Sequence, residues 1–202
     1  GEGLTWHRPF DSLFGMEEPG FWALTRRADI AYVSQHPELF TSAQGVALSP
    51  MPAEIQRFAS FFLSMDPPQH TGFRQALNPV FSPSRMMALD GLVRERARFY
   101  IDQFKAKGRC EFVQDFAVNF PITIFLDLIG LPQDRKPEFL DWENKILHGT
   151  DHEARITSVR AVKDLLVETI EDRKKNPGED LISKTLTLEV EGRKWSDEEV
   201  FG

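Results

Sequence analysis

Met65-Asp66-Pro67-Pro68-Gln69-His70-Thr71-Gly72-Phe73-Arg74 combines the start of a helix with two anion-binding side chains. Asp66 suits an N-cap, where a carboxylate accepts the free N–H groups of the first turn. Pro67 suits the first helical position, because its missing N–H costs nothing there and its fixed φ is already helical. His70 and Arg74 stand four residues apart and so share a helical face. An imidazole beside a guanidinium can clamp a carboxylate or a phosphate. The same residues also describe a capped surface helix whose His and Arg are merely solvated. Spacing alone leaves both readings open.

Working outward, Gly20-Phe21-Trp22-Ala23-Leu24-Thr25 is bulky enough for a strand after a turn. Asp29 to Ser34 predicts a short helix closed by His36-Pro37. Residues 41–64 are the least regular, with Pro50 and Pro52 breaking any long helix. Phe58, Phe61 and Phe62 nevertheless lie close together there. They pack as local core, or they form an aromatic wall over a ligand cavity. Downstream, Ser82-Pro83 repeats the N-cap and first-turn logic and opens a helix ended by Gly108. Leu89, Val93, Ala97, Tyr100 and Phe104 keep helical spacing along its core face. Phe116 to Ile129 is strongly apolar and stops at Gly130 with Pro132 just beyond. Pro121 inside it implies a kink or a late start. Further helices are predicted from Pro137 to about Leu147 and from about Glu153 to Lys175, the latter with Val159, Val162, Leu166 and Ile170 on one face. The alternation from Leu186 to Trp195 around Glu191-Gly192 predicts a short hairpin. Ser196 with Glu199 fits a capping box.

Composition narrows the function classes. Of 202 residues, 41% are hydrophobic and 27% charged, as in ordinary soluble globular proteins. The net charge of −7 argues against nucleic acid or an anionic membrane surface as the main partner. No apolar run approaches the roughly 20 residues that span a bilayer. Cys110 is the only cysteine; no intrachain disulfide is possible, which fits a reducing cytoplasm. It follows Lys107-Gly108-Arg109, a helix end, and is expected to be a small buried or edge residue. His148 and His152 have metal-ligand spacing, but Gly149 and Thr150 disfavour a helix between them. Arg94, Arg96 and Arg98 read as a solvated helix surface. No phosphate-binding loop, nucleophile elbow or dinucleotide fingerprint is present.

The Asp66-Pro67-Pro68-x-His70-Thr71-x-x-Arg74 pattern resembles the C-helix start of bacterial cytochrome P450 enzymes. The resemblance continues through Gly20–Arg26, His36–Ser42, Cys110–Phe116, Phe120–Phe125, Leu128–Pro132, Pro177–Ser183 and Ser196–Glu199. It is strongest toward the camphor-hydroxylating and terpenoid-oxidising members. It implies a mainly α fold with a small β-sheet: the N-terminal half of the cytochrome P450 fold, with sheet 1 strands and helices A to H. Residues 1–202 would then be part of a single domain that stops before the I helix and the haem-ligand loop. The implied protein is a haem-thiolate monooxygenase in the cytoplasm, with haem b as cofactor. It inserts one oxygen atom from O2 into a small apolar, terpenoid-like substrate, using electrons from a ferredoxin partner. By the same resemblance, His70 and Arg74 hold the haem propionates, and Arg74 helps an acidic ferredoxin to dock. Phe58, Phe61, Phe62 and Leu63 line the substrate pocket, and residues 148–152 belong to a lid over the access channel. No catalytic residue and no metal ligand fall in the segment, the iron-bound Cys lying beyond residue 202. Phe58 stands where the camphor enzyme has a tyrosine that hydrogen-bonds its ketone substrate, which favours a more apolar substrate. The alternative is a non-catalytic all-α ligand-binding module or haem-free fragment.

Overall fold

The computed structural model describes residues 3–8, 14, 20–45, 48, 52–53, 55–56, 62–190 and 192–201. The first strand pair, β1 (Leu4–His7) and β2 (Phe21–Leu24), is antiparallel with Trp6 opposite Trp22. The two indoles meet edge to face at 5.2 Å. Thr25 N–H extends the pairing to the Gly3 carbonyl at 3.1 Å. Helix α1 (Arg27–Gln35) ends before Pro37, as predicted, with the His36 ring stacked 4.0 Å from Tyr32.

Helix α2 (Gln69–Leu77) carries the motif, and here the structure corrects the expected cap. The N-cap is Pro68, with no side-chain cap bond, and the Asp66 carboxylate faces the other way. It accepts the Ser42 N–H at 2.9 Å and the Thr41 hydroxyl. Two donors presented by the upstream loop satisfy it better than a first turn that begins with two prolines, which lack N–H groups.

The helix expected from Ser82 to Gly108 is two helices, α3 (Pro83–Ala88) and α4 (Asp90–Lys105), divided at Leu89. Leu89 N–H bonds Met86 O at 3.2 Å, a tightened turn that reorients the chain, and Val93 N–H returns to Leu89 O at 2.9 Å. Leucine has no helix-breaking side chain, so nothing in the pattern marks this corner. Pro121 gives the late start: a wide π turn spans Val113–Ala117, and α5 (Asn119–Ile129) begins after it. Gly130 ends α5 at φ +71, a left-handed position that only glycine enters without strain. Helix α6 (Lys136–Leu147) and the long α7 (His152–Lys175) follow. Asp151 caps α7 by accepting Glu153 and Ala154 N–H at 2.9 and 3.2 Å.

A short helix that the pattern did not announce, α8 (Leu181–Thr185), is capped by Asp180, which accepts Ser183 N–H at 2.8 Å. The predicted second hairpin is present as β3 (Glu189–Val190) and β4 (Arg193–Lys194), with Gly192 at φ +78. Helix α9 (Asp197–Phe201) begins with the expected capping box: Ser196 N–H donates to Glu199 Oε2 at 2.7 Å, and Glu199 N–H donates to Ser196 Oγ at 3.3 Å.

The core forms in patches between these helices. Leu126, Phe139 and Leu165 join α5, α6 and α7, and Ile129, Ile170 and Ile182 join α5, α7 and α8. A buried polar chain runs beside the first patch. Lys136 Nζ donates to Tyr100 Oη at 3.0 Å, Tyr100 meets Thr123 Oγ1 at 2.6 Å, and Thr123 donates to Asn119 O at 3.0 Å. Because the Thr123 proton is committed to Asn119, the Tyr100 hydroxyl is the donor in the middle bond. Arg96 departs from the solvated surface expected of it. It holds Asp127 through Nε at 2.8 Å and Nη2 at 3.1 Å, tying α4 to α5.

Candidate functional site

The sequence 70–77 places His70, Phe73, Arg74 and Leu77 at i, i+3, i+4 and i+7, so they occupy one arc of α2. Phe73 is the buried anchor at 2% exposure, packed with Met65 and Val190 and meeting Trp195 edge to face at 4.8 Å. This fixes α2 against the second hairpin. Gly72 allows the approach, since a Cβ there would stand 3.3 Å from Val190 Cγ2. With Phe73 facing inward, Arg74 is left exposed and His70 half-buried. The His70 ring lies 4.9 Å from the Phe62 ring at a 38° tilt. Neither side chain is committed to a hydrogen bond or a carboxylate among the described residues.

Beside this arc opens an apolar cavity of about 300 Å³. Phe62, Phe73, Leu77, Phe125, Ile129 and Trp195 are among its lining residues, drawn from α2, α5, the second hairpin and the loop before α2. Trp195 Nε1 is buried without a hydrogen-bond partner among the described residues. Of the proposed wall, Phe62 lines this cavity, whereas Leu63 is 63% exposed and is not part of the lining. Phe58 and Phe61 lie outside the described residues. Sequence reasoning missed Phe73 and Trp195. Phe73 carried a signal, as it stands three residues after His70; Trp195 carried none beyond the hairpin alternation.

Electrostatics near the site come from the loop that receives Asp66. The Thr41 hydroxyl, then the Ser42 N–H, hold the Asp66 carboxyl below its usual range. The remaining candidates sit elsewhere. His148 ends α6 and His152 opens α7, with Gly149 in the turn between them, so the two are not on a continuous helix. Cys110 is exposed in the stretch after α4, so of the buried or edge position expected of it the buried one does not hold.

No family profile matches the chain, but individual relatives do. It is 34% identical over 184 residues to a probable cytochrome P450 127A1 of Sinorhizobium fredii, covering 91% of this chain and 44% of that protein. It is 29% identical over 194 residues to a steroid C26-monooxygenase of Mycolicibacterium smegmatis, covering 92% of this chain and 45% of that one. Among solved structures, Mycobacterium marinum cytochrome P450 CYP268A2 in complex with pseudoionone superposes with a TM-score of 0.82 at 29% identity, covering 98% of this chain and 51% of that one. CYP101J2 superposes with a TM-score of 0.78 at 27% identity, covering 98% and 47%. The chain thus spans about half the length of the curated relatives it matches. Over nearly its whole length the chain is thus similar to bacterial cytochrome P450 enzymes, and it shares the fold of about half of one.

Proposed function

We propose that the complete protein is a haem-thiolate monooxygenase acting on a small apolar substrate, and that this segment supplies the propionate clamp and part of the substrate wall. The observation that carries the reading is the arc of α2, which sets two uncommitted nitrogen-bearing side chains, His70 and Arg74, beside the apolar cavity. These residues fit a haem edge. Its propionates are carboxylates that need charge-assisted donors, and its macrocycle needs an apolar, largely water-free bed.

When bound, haem would supply the activation of O2 for the insertion of one oxygen atom into a C–H bond. The chain's own residues bind and orient. Arg74 neutralises a propionate with a planar fork that can make two parallel N–H···O bonds. His70 donates a further N–H, its ring held in place by Phe62. Phe62 and its apolar neighbours exclude water and offer a substrate little to hydrogen-bond, which favours a hydrocarbon-rich, terpenoid-like molecule. The cofactor is taken to be haem b, the electron donor an acidic ferredoxin reaching the exposed Arg74, and the compartment the cytoplasm. No helix among the described residues is long and apolar enough to cross a membrane.

The test is the absorption spectrum of the complete, reduced protein under carbon monoxide. A strongly red-shifted Soret band of thiolate-ligated haem is the expected result. Purified full-length protein of correct mass that binds no haem would overturn the reading in favour of a non-catalytic binding module.

A further inference from the structure

Asp66 is held on two sides, by the loop after α1 and by the first turn of α2. On the loop side, its carboxylate accepts the Ser42 N–H at 2.9 Å and the Thr41 hydroxyl. Thr41 Oγ1 also accepts the Ala43 N–H at 3.0 Å. The loop is itself braced on the end of α1. Leu39 and Phe40 N–H groups return to His36 O at 3.0 and 3.1 Å, and the Phe40 ring meets Tyr32 edge to face at 6.2 Å. Gly45 N–H closes the loop onto Ser42 O at 2.9 Å.

On the helix side, Asp66 O accepts the His70 N–H at 3.0 Å. Met65 is buried with Phe73 and Val190, and its N–H donates to Phe62 O at 3.4 Å. Phe62 lies against the His70 ring. The backbone and the ring of His70 thus both answer to residues 62–66. Phe73 anchors the middle of α2, but the start has no anchor of that kind, since Pro68 caps it without a side-chain bond. A first turn left without such a cap frays. Here the carboxylate that suits a cap ties the helix start to a segment 24 residues upstream instead.

We propose that Asp66 is a positioning residue for the propionate clamp: by tying the start of α2 to the loop after α1, it sets the first turn of the helix and with it the His70 imidazole. It acts through His70 and is not itself a ligand of the cofactor. Arg74 lies beyond the Phe73 anchor and does not depend on the tie. That an ordered His70 holds a propionate rests on the monooxygenase reading; the tie itself does not.

The experiment is hydrogen–deuterium exchange on the complete protein and its Asp66→Ala variant. Amides of residues 42–45 and 70–72 should exchange about tenfold faster in the variant, with those of 73–77 unchanged, as expected when charge-assisted bonds are lost and a local opening is favoured. Asp66→Asn keeps an acceptor for the Ser42 N–H but sets an amide donor against the Thr41 hydroxyl. It should fall between the two and serves alone if the Ala variant does not fold. Unchanged exchange at 70–72, or an equal rise through 73–77, would overturn the tie. The propionate bending band in the resonance Raman spectrum then reads the clamp. It should shift in Asp66→Ala, shift less in Asp66→Asn, and show no further shift when Asp66→Ala is added to His70→Phe. An unchanged band alongside faster exchange at 70–72 would overturn the positioning role. The exchange result does not depend on haem, so a protein that binds none would fail the proposed function without touching the tie.

Discussion

Arg74 and His70 stand out because neither is committed to a hydrogen bond or a carboxylate among the described residues. Phe73 is consumed by the packing of α2 on Val190 and Trp195, whereas its neighbour is exposed and uncommitted. In the complete protein, Arg74→Ala should lower the haem-to-protein ratio after gel filtration and slow reduction by the electron donor. Arg74→Lys should recover part of both, because an ammonium neutralises a propionate but cannot grip it bidentately. An unchanged ratio together with an unchanged reduction rate would remove Arg74 from the clamp. If Phe58 lines the substrate pocket, Phe58→Tyr should tighten binding of carbonyl-bearing terpenoids, read as a lower dissociation constant in an optical titration, since it adds a hydroxyl donor there. The shared face of His70 and Arg74 was legible because both sit in one short motif. The cavity was not, because its walls come from segments as distant as Phe62, Phe125 and Trp195, and no local periodicity pairs such positions.

Among the elements, those with their own start and stop chemistry were readable. Gly130, and Ser196 with Glu199, each mark an end through a backbone or capping requirement of their own. The Leu89 corner and α8 were not readable, since one lacks a breaker and the other is a single capped turn. Helix α8 depends on tertiary partners. Arg173 Nε holds Asp180 at 2.7 Å, and its Nη2 reaches Gly130 O at 2.7 Å, so one guanidinium ties the ends of α5 and α8 to α7. Burial alone would raise the Asp180 carboxyl, but the Ser183 N–H and Arg173 hold it below its usual range. Arg173→Met should cost about 2 kcal/mol in a urea melt, as for a largely buried charged pair that loses one partner but is partly relieved by solvent. A loss indistinguishable from zero would mean that α8 is held by its Asp180 cap and the apolar packing around Ile182.

Helix α9 gives a prediction in pH. The Arg193 guanidinium, bonded to Glu199 at 2.7 and 2.6 Å, lowers the Glu199 carboxyl from 4.5 to about 2, with the Ser196 N–H assisting. A carboxyl depressed on folding adds stability that is complete above its unfolded value and is lost as the pH falls from about 4.5 toward 2. Glu199→Gln should therefore melt below the parent at pH 7, and the gap should close as the pH approaches 2. A gap that stays constant across that range would show that the ion pair contributes nothing to the fold.

At the scale of the whole molecule, the core is distributed among patches. Leu126 is fully buried in the patch where α5, α6 and α7 meet. Leu126→Ala should cost about 2–5 kcal/mol, read as a lower denaturation midpoint, depending on how far the site collapses around the void. The helical character and element order were legible because amphipathic spacing persists along α4, α5 and α7. How the patches are arranged in space was not, because it is set by pairs such as Arg96 with Asp127, whose residues look solvated in sequence.

The contact of Phe73 with Trp195 has a kinetic consequence. Helices α4 to α8 each touch a neighbour close in sequence, so they can assemble by short excursions of the chain. The α2–β3 contact instead closes a loop that contains all of them, and its entropic cost is met only when the intervening helices have already shortened the span. The motif helix should therefore dock late in folding, and His70 and Arg74 would be among the last side chains to reach their places.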